Sequence, residues 1–367
     1  MPRPGRANLI LLAVSTTFTL LVFEVVARLY LAAPLPWRFP QIRYQSDPRL
    51  IFTLRPDQEA YTADKKATIN ARGLRGPLVP YERTSGTLRI LILGDSIAFG
   101  YGVAESDSVG ARLAARLAGR GLRAEVINTG VPSYNVEQEV GYLAAEGLRY
   151  RPDWVLLAVC WNDINEKSSV RVTPDGWLAT AGDREAGPLV TLMETPAGYV
   201  LRNLFKRSRL LYAVTQVLRG VRDYFQPEEH AQFRDDVLAG RESPKVARGW
   251  ERMETSLLDL ARQGKEAGLR ILVVTFPLLP ALEKDSPGSS YPSRVLSLAQ
   301  AAGLDTKDLT PAYRAAFQGH DSLFIPYDAD HPNARGHDLA AAEIEAALVD
   351  LMGRGESPAD HDMIRFR

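Results

Sequence analysis

Apolar residues run unbroken by charge from Leu9 to Phe23, and after Glu24 the run resumes through Val25, Val26, Leu29, Tyr30 and Leu31. That reaches about the twenty residues a membrane-spanning helix needs. Glu24 and Arg28 stand four apart, in the order that lets them pair along one helix face or lie near the interface, where Arg28 can snorkel. From Pro34 to Gly86 the chain turns to Pro, Arg, Asp and Tyr. Short alternating pieces such as Ala67 to Asn70 and a Gly73-Leu74-Arg75-Gly76-Pro77 turn predict a stalk and a small β appendage packed on the main domain. At Arg89 to Leu93 the apolar residues become continuous, as in a strand covered on both faces. Gly94 ends it, and Ser106 to Arg120 has helical spacing. Ala124 to Asn128, a helix from Val136 to Glu146, and a third buried strand from Trp154 to Cys160 come next. Three βα units in a row predict a parallel sheet with right-handed crossovers.

After Asn165 the alternation pauses until Gly249, too long for a bare loop, so a folded insertion is expected at about 166–248. Within it, Gly198 to Arg222 has helical apolar spacing with Arg202, Lys206, Arg207, Arg209, Arg219 and Arg222 between. This reads as a helical cap whose polar face is solvated, with contact to anionic head groups as the other use. A helix from Gly249 to Ala267, a strand from Leu269 to Phe276, a short strand from Leu304 to Leu309 and a closing helix from Asn333 to Met352 complete the pattern. The expected organisation is an anchor over 1–33, stalk and appendage over 34–87, an α/β domain over 88–353 and a polar tail over 354–367.

Composition narrows the class. At 367 residues, 46% hydrophobic and 24% charged, the chain can bury a full core. Lys+Arg and Asp+Glu are both 44, so the dominant basic field of a nucleic-acid binder is missing. The single cysteine, Cys160, excludes an intrachain disulfide and a thiolate metal cluster. Arg3 and Arg6 also suit the start of a secretory signal, but Leu31-Ala32-Ala33 followed by Pro34 is a poor cleavage site, which favours an uncleaved anchor. Positive charges on both sides of the apolar run give no clean orientation. The α/β domain is taken as exported, periplasmic or extracytoplasmic.

Three loops share the carboxyl edge of the expected sheet, where open α/β sheets bind ligands. They hold Ser96, Gly130 and Asn162. A serine attacking an ester carbonyl needs donors for the developing oxyanion, which the N–H groups of Ser96 and Gly130 and the Asn162 amide can supply. It also needs a base. His331 lies in Pro326-Tyr327-Asp328-Ala329-Asp330-His331-Pro332-Asn333, just before the closing helix, and Asp328 can curl back to orient it. Asp330 is the competing acid. His337 falls on the closing helix and suits packing or capping, while His230, His320 and His361 have no partner pattern.

At these residues the chain resembles the SGNH (GDSL) hydrolase superfamily, whose blocks match Gly94-Asp95-Ser96, Gly130 in INTGVPSYN, Asn162 in CWND, and Asp328 with His331 in DADHPNARGH. It is similar to membrane-anchored bacterial members with a short β appendage. The resemblance implies a three-layer α/β/α flavodoxin-like fold. It also implies Ser96 as nucleophile, His331 as base, Asp328 as orienter, and an oxyanion hole from Ser96, Gly130 and Asn162. One departure is Cys160, which stands where glycine is usual and narrows the pocket. The expected activity is ester hydrolysis through an acyl-serine, on a small ester or a short acyl group of a cell-envelope glycan. No cofactor, metal or nucleic acid is implied, and the membrane is met through the N-terminal helix. An O-acyltransferase, a non-catalytic scaffold and a long-chain lipase or thioesterase stay open. A dinucleotide site is disfavoured because Gly94, Gly100 and Gly102 do not make GxGxxG. A metal hydrolase built on Asp328, Asp330, His331 and His337 lacks further ligands in pattern.

Overall fold

The continuous apolar strands become the centre of a sheet because both of their faces are covered. The computed structural model describes residues 5–165, 170–180, 192, 194–225, 229–283, 290–319 and 322–355. In chain order the elements begin with α1 (Arg6–Tyr30) and the strands β1 (Tyr44–Asp47), β2 (Ile51–Leu54), β3 (Gln58–Thr62) and β4 (Lys65–Ile69). Then come β5 (Leu88–Gly94), α2 (Ser96–Phe99), α3 (Val109–Gly119), β6 (Ala124–Asn128), α4 (Val136–Ala145) and β7 (Trp154–Val159). The insertion holds β8 (Val170–Val172), β9 (Leu178–Thr180), α5 (Pro196–Arg207), α6 (Arg209–Phe225) and α7 (Glu229–Ala239). The chain continues with α8 (Pro244–Ala267), β10 (Arg270–Thr275), α9 (Ser290–Ala301), β11 (Asp305–Asp308), α10 (Thr310–Ala316) and α11 (Ala334–Gly355). These form two compact units, residues 1–39 with 185–228, and residues 40–184 with 229–367.

In the larger unit five parallel strands lie in the order β6-β5-β7-β10-β11. Side chains alternate across the sheet. Leu91 and Leu93 share one core with Val140 of α4, Met253 and Leu257 of α8 and Val295 of α9. Ile90 and Ile92 share the other with Leu113 and Leu117 of α3 and Ile344 and Leu348 of α11. Helices on both faces give three layers, the α/β/α arrangement expected. Each such side chain, fully buried, stabilises by about 1.5–3 kcal/mol. The strand order reverses between β5 and β7, and a crevice for ligands forms at the carboxyl ends of such a pair.

Two antiparallel hairpins, β1–β2 and β3–β4, make the appendage, and it belongs to this same unit. Phe52 and Leu54 are fully buried. The Tyr134 hydroxyl donates to the Phe52 carbonyl at 2.8 Å, and the Gln138 amide to the Leu50 carbonyl at 2.7 Å. The expected helix after Ser96 starts later than its apolar spacing suggests. A 3-10 turn covers Glu105–Asp107, and Ser108 then caps α3 by accepting from the Ala111 N–H.

In the smaller unit α1 is one helix of 25 residues whose most apolar window has a mean hydropathy of 2.3. Its length and composition suit a membrane span, and suit a signal sequence equally. The apolar run from Gly198 to Arg222 is two helices, broken at Ser208, rather than one. The tail from 356 on lies outside the described residues, as do His320 and His361.

Candidate active site

The loops after β5, β6 and β7 and the segment before α11 meet at the crevice. Gly94 allows β5 to turn sharply into α2, since a Cβ there would lie 2.6 Å from the Ala98 Cβ. Asp95, fully buried, caps the short helix by accepting the Ile97 N–H at 2.8 Å. Ser96 therefore starts the helix and faces a cleft of about 320 Å³ lined by Tyr44, Ser96, Tyr101, Ser133, Cys160, Asn162, Asp330 and His331 among others.

Ser96 Oγ is 2.9 Å from His331 Nε2, and His331 Nδ1 is 2.7 Å from Asp328 Oδ2. With Nδ1–H donating to the carboxylate, Nε2 is the acceptor for the serine hydroxyl. The chain holds this loop in place locally. Asp328 Oδ1 accepts the N–H groups of Asp330 at 2.9 Å and His331 at 3.0 Å, and the Ile325 N–H donates to the His331 carbonyl at 3.0 Å. Asn333 then accepts the Arg335 and Gly336 N–H groups at the start of α11. Asp330 lines the cleft, but the imidazole hydrogen bond goes to Asp328. Ser96 Oγ also lies 3.2 Å from Asp95 Oδ2, so its one proton has two acceptors, the nearer being the imidazole.

Electrostatics follow from this packing. Burial pulls the His331 pKa down, but the hydrogen bond and charge of Asp328, with Asp330 and Asp95 behind them, outweigh it and hold the imidazole above its ordinary value. Burial pushes Asp328 up, and its hydrogen bonds from His331 and Asp330 reverse the sign, so it stays ionised below the usual carboxylate range. Asp330 is raised, chiefly by burial. Burial, with the charges of Asp95 and Asp163 beside it, pushes the Cys160 thiol well above its ordinary value and keeps it neutral.

Asn162 reaches the cleft. One of its amide N–H groups donates to Asp95 Oδ2 at 2.8 Å, and the amide carries a second. The Cys160 sulfur contacts the amide oxygen side and Asp95, and Cys160 and Asn162 both line the cleft. Gly130 departs from the expectation. Its N–H donates to Asn128 Oδ1 at 2.9 Å, and it does not line the cleft. A Cβ there would sit 2.4 Å from the Phe99 nitrogen, so Gly130 serves close packing against the turn that carries Ser96. Three residues on, Ser133 lines the cleft with φ +74°. The Tyr134 N–H donates to the Val131 carbonyl at 3.0 Å, which makes Val131-Pro132-Ser133-Tyr134 a β-turn with proline second and a positive φ third. Among the described residues no intramolecular acceptor takes the N–H of Ser96 or of Ser133.

Sequence reasoning missed three further residues. Tyr101 packs its ring 5.0 Å from the His331 ring, and burial, with the Asp328 charge, raises its pKa to about 12. Arg75, from the appendage, is buried and donates to the carbonyls of Phe99 at 3.0 Å, Gly100 at 2.6 Å and Val103 at 2.8 Å, tying down the turn that carries Ser96. Ser133 is the third. Only the glycine-rich turn around Arg75 and the proline before Ser133 mark them in the sequence. His337 is fully buried in α11 and does not reach the cleft.

The chain is similar to solved structures at low identity. It matches the acetyl xylan esterase AlAXEase at 13% identity and a TM-score of 0.42, covering 71% of this chain and 100% of that one. It matches a lipase/acylhydrolase from Enterococcus faecalis at 18% and 0.41, covering 73% and 96%. It matches Axe2, an acetylxylan esterase from Geobacillus stearothermophilus, at 15% and 0.42, covering 71% and 94%. No curated relative matches by sequence. The model of the GDSL-like lipase/acylhydrolase family matches residues 92–339, from inside β5 to the first turns of α11, and on that match the chain belongs to this family.

Proposed function

We propose that the protein is a membrane-anchored serine esterase of the SGNH type that releases short acyl groups, such as an O-acetyl on a cell-envelope glycan. The observation that carries this reading is the hydrogen-bonded series from Ser96 through His331 to Asp328 at the edge of the cleft. In the first step His331 Nε2 takes the Ser96 proton as Oγ bonds to the ester carbonyl carbon. The carbonyl oxygen becomes an oxyanion, held by the N–H of Ser96, the Asn162 amide and the N–H of Ser133, which takes the part first expected of Gly130. Asp328 stabilises the imidazolium. As the tetrahedral intermediate collapses, His331 returns the proton to the departing alkoxide and the acyl group stays on Ser96. Water then attacks the acyl carbon with His331 again as base; the acyl–Oγ bond breaks, His331 returns the proton to Ser96 Oγ, and the acid leaves.

The cleft of about 320 Å³, lined in part by Cys160, supports a short acyl group. The same residues run an O-acyltransferase when a sugar hydroxyl takes the place of water in the second half. A series of aryl esters from acetyl to decanoyl, with and without an oligosaccharide acceptor, tests the reading. Highest kcat/KM for acetyl or propionyl esters, lost in Ser96→Ala, is the expected result. Better turnover of decanoyl esters would replace it with a lipase, and acyl-oligosaccharide accumulation with a transferase.

A further inference from the structure

We propose that α5 and α6 form a second membrane-embedded element, whose outward apolar faces are covered by the same lipid that covers α1. The proposal rests on α1 being an uncleaved anchor. α5 turns polar residues inward, and both helices leave stripes of apolar residues exposed. On the inner side of α5, Tyr199 packs on Phe39 and Trp37, the Asn203 amide donates to the Trp37 carbonyl at 2.7 Å, and Lys206 donates to the Leu35 carbonyl at 2.7 Å. On the outer side, Leu201, Leu204 and Phe205 of α5 and Val214, Val217 and Leu218 of α6 are 42 to 65% exposed. They follow helical spacing, so they form stripes and not scattered residues. Contiguous exposed stripes of this kind mark an interaction surface.

Continuity with α1 identifies the occupant. The joint between α5 and α6 is locked onto the end of α1. Glu24 accepts from the Ser208 hydroxyl at 2.7 Å, the Arg209 N–H at 3.2 Å and the Leu210 N–H at 3.1 Å, as well as from Arg28 at 2.7 Å. The acid that interrupts the apolar run of α1 thus caps the start of α6, where a carboxylate is favoured. Arg209 donates to the carbonyls of Arg28 at 2.6 Å and Leu31 at 2.7 Å, and Arg28 to that of Arg207 at 3.0 Å. From this clamp α6 runs beside α1. A groove of about 640 Å³ between them is lined by Thr17, Leu20 and Leu21 on one side and by Leu204, Leu211 and Val214 on the other. Hydrocarbon that reaches Leu20 and Leu21 therefore reaches Leu211 and Val214 too. Arg207 and Arg209 stand at the joint, at the height where α1 ends and head groups begin.

The test uses the full-length protein in nanodiscs containing phosphatidylcholine brominated along its acyl chains. Tryptophan is introduced at three exposed positions, Leu12→Trp in α1, Leu218→Trp on the outward face of α6 and Arg219→Trp beside it on another face. Each emission is read as a difference from the parent protein, with ester hydrolysis confirming that each variant folds. The new tryptophans at 12 and 218 are expected to lose about half their emission or more, as residues held below the head groups do, and the one at 219 to keep most of its emission. Quenching at 12 but not at 218 would overturn the proposal while leaving the anchor intact. No quenching at either would overturn the anchor reading and the proposal with it. Shielding of position 218 from both brominated lipid and aqueous iodide would assign the face to a protein partner and also overturn the proposal.

Discussion

At the scale of single residues, the proton on His331 decides the chemistry of the proposed mechanism. Only neutral imidazole can take the Ser96 proton, and Asp328 holds the His331 pKa above 6.5. Activity should therefore fall as pH drops through a value above 6.5, seen as the acid limb of kcat/KM. Asp328→Asn removes the group that raises His331 and orients its tautomer. Its acid limb should move to lower pH, and kcat should drop by about three to four orders of magnitude. An unmoved limb would mean that Asp328 does not set the titration. Ser133 offers a second check, because a non-glycine residue at φ +74° is strained. If only its N–H is used, Ser133→Gly should retain kcat and raise the unfolding free energy by up to about 1–2 kcal/mol. Loss of activity would show that the hydroxyl is needed. That Ser96, Asn162 and His331 line one cleft, with Asp328 bonded to His331, was legible because side-chain chemistry leaves a mark in residue type and spacing. A backbone donor leaves none. The third donor was accordingly sought at Gly130, whose glycine reflects a close approach to Phe99, while the proposed donor of that loop, Ser133, lines the cleft.

Among the elements, Arg75 shows why the appendage matters to the site. Its guanidinium is buried, and its hydrogen bonds to the Phe99, Gly100 and Val103 carbonyls fix the turn behind Ser96. Arg75→Ala should destabilise the protein by about 1.5–3 kcal/mol, since it strips a charged donor from buried carbonyls. It should lower kcat more than it raises KM, because the nucleophile loosens. Thermal unfolding with steady-state kinetics at a temperature where the variant is folded checks both. The strands were legible wherever both faces are covered, so that β5, β7 and β10 are continuous apolar runs. Helix ends were less so. Nothing in the spacing from Gly198 to Arg222 breaks the helix at Ser208. The break exists because Ser208 bonds Glu24, a partner 184 residues away in sequence.

On the scale of the whole molecule, the site sits where the strand order reverses, with helices packed on both faces of the sheet. His337 reports on that packing. It is fully buried, and burial, with Arg75 and His331 nearby, depresses its pKa from 6.5 to about 3. An unfolded chain would take up a proton there below pH 6.5 that the folded one refuses until about pH 3, so this histidine makes the protein lose stability as pH falls through that window. His337→Leu should flatten the dependence of the unfolding free energy on pH between those limits, as measured by denaturant titration. An unchanged slope would place the acid sensitivity elsewhere. The most direct test of the serine mechanism is labelling of the full-length protein with a fluorophosphonate, with the modified peptide identified by mass spectrometry. The label should fall on Ser96, disappear in Ser96→Ala and drop sharply in His331→Ala. Labelling that is absent, or that persists without Ser96, would contradict the mechanism.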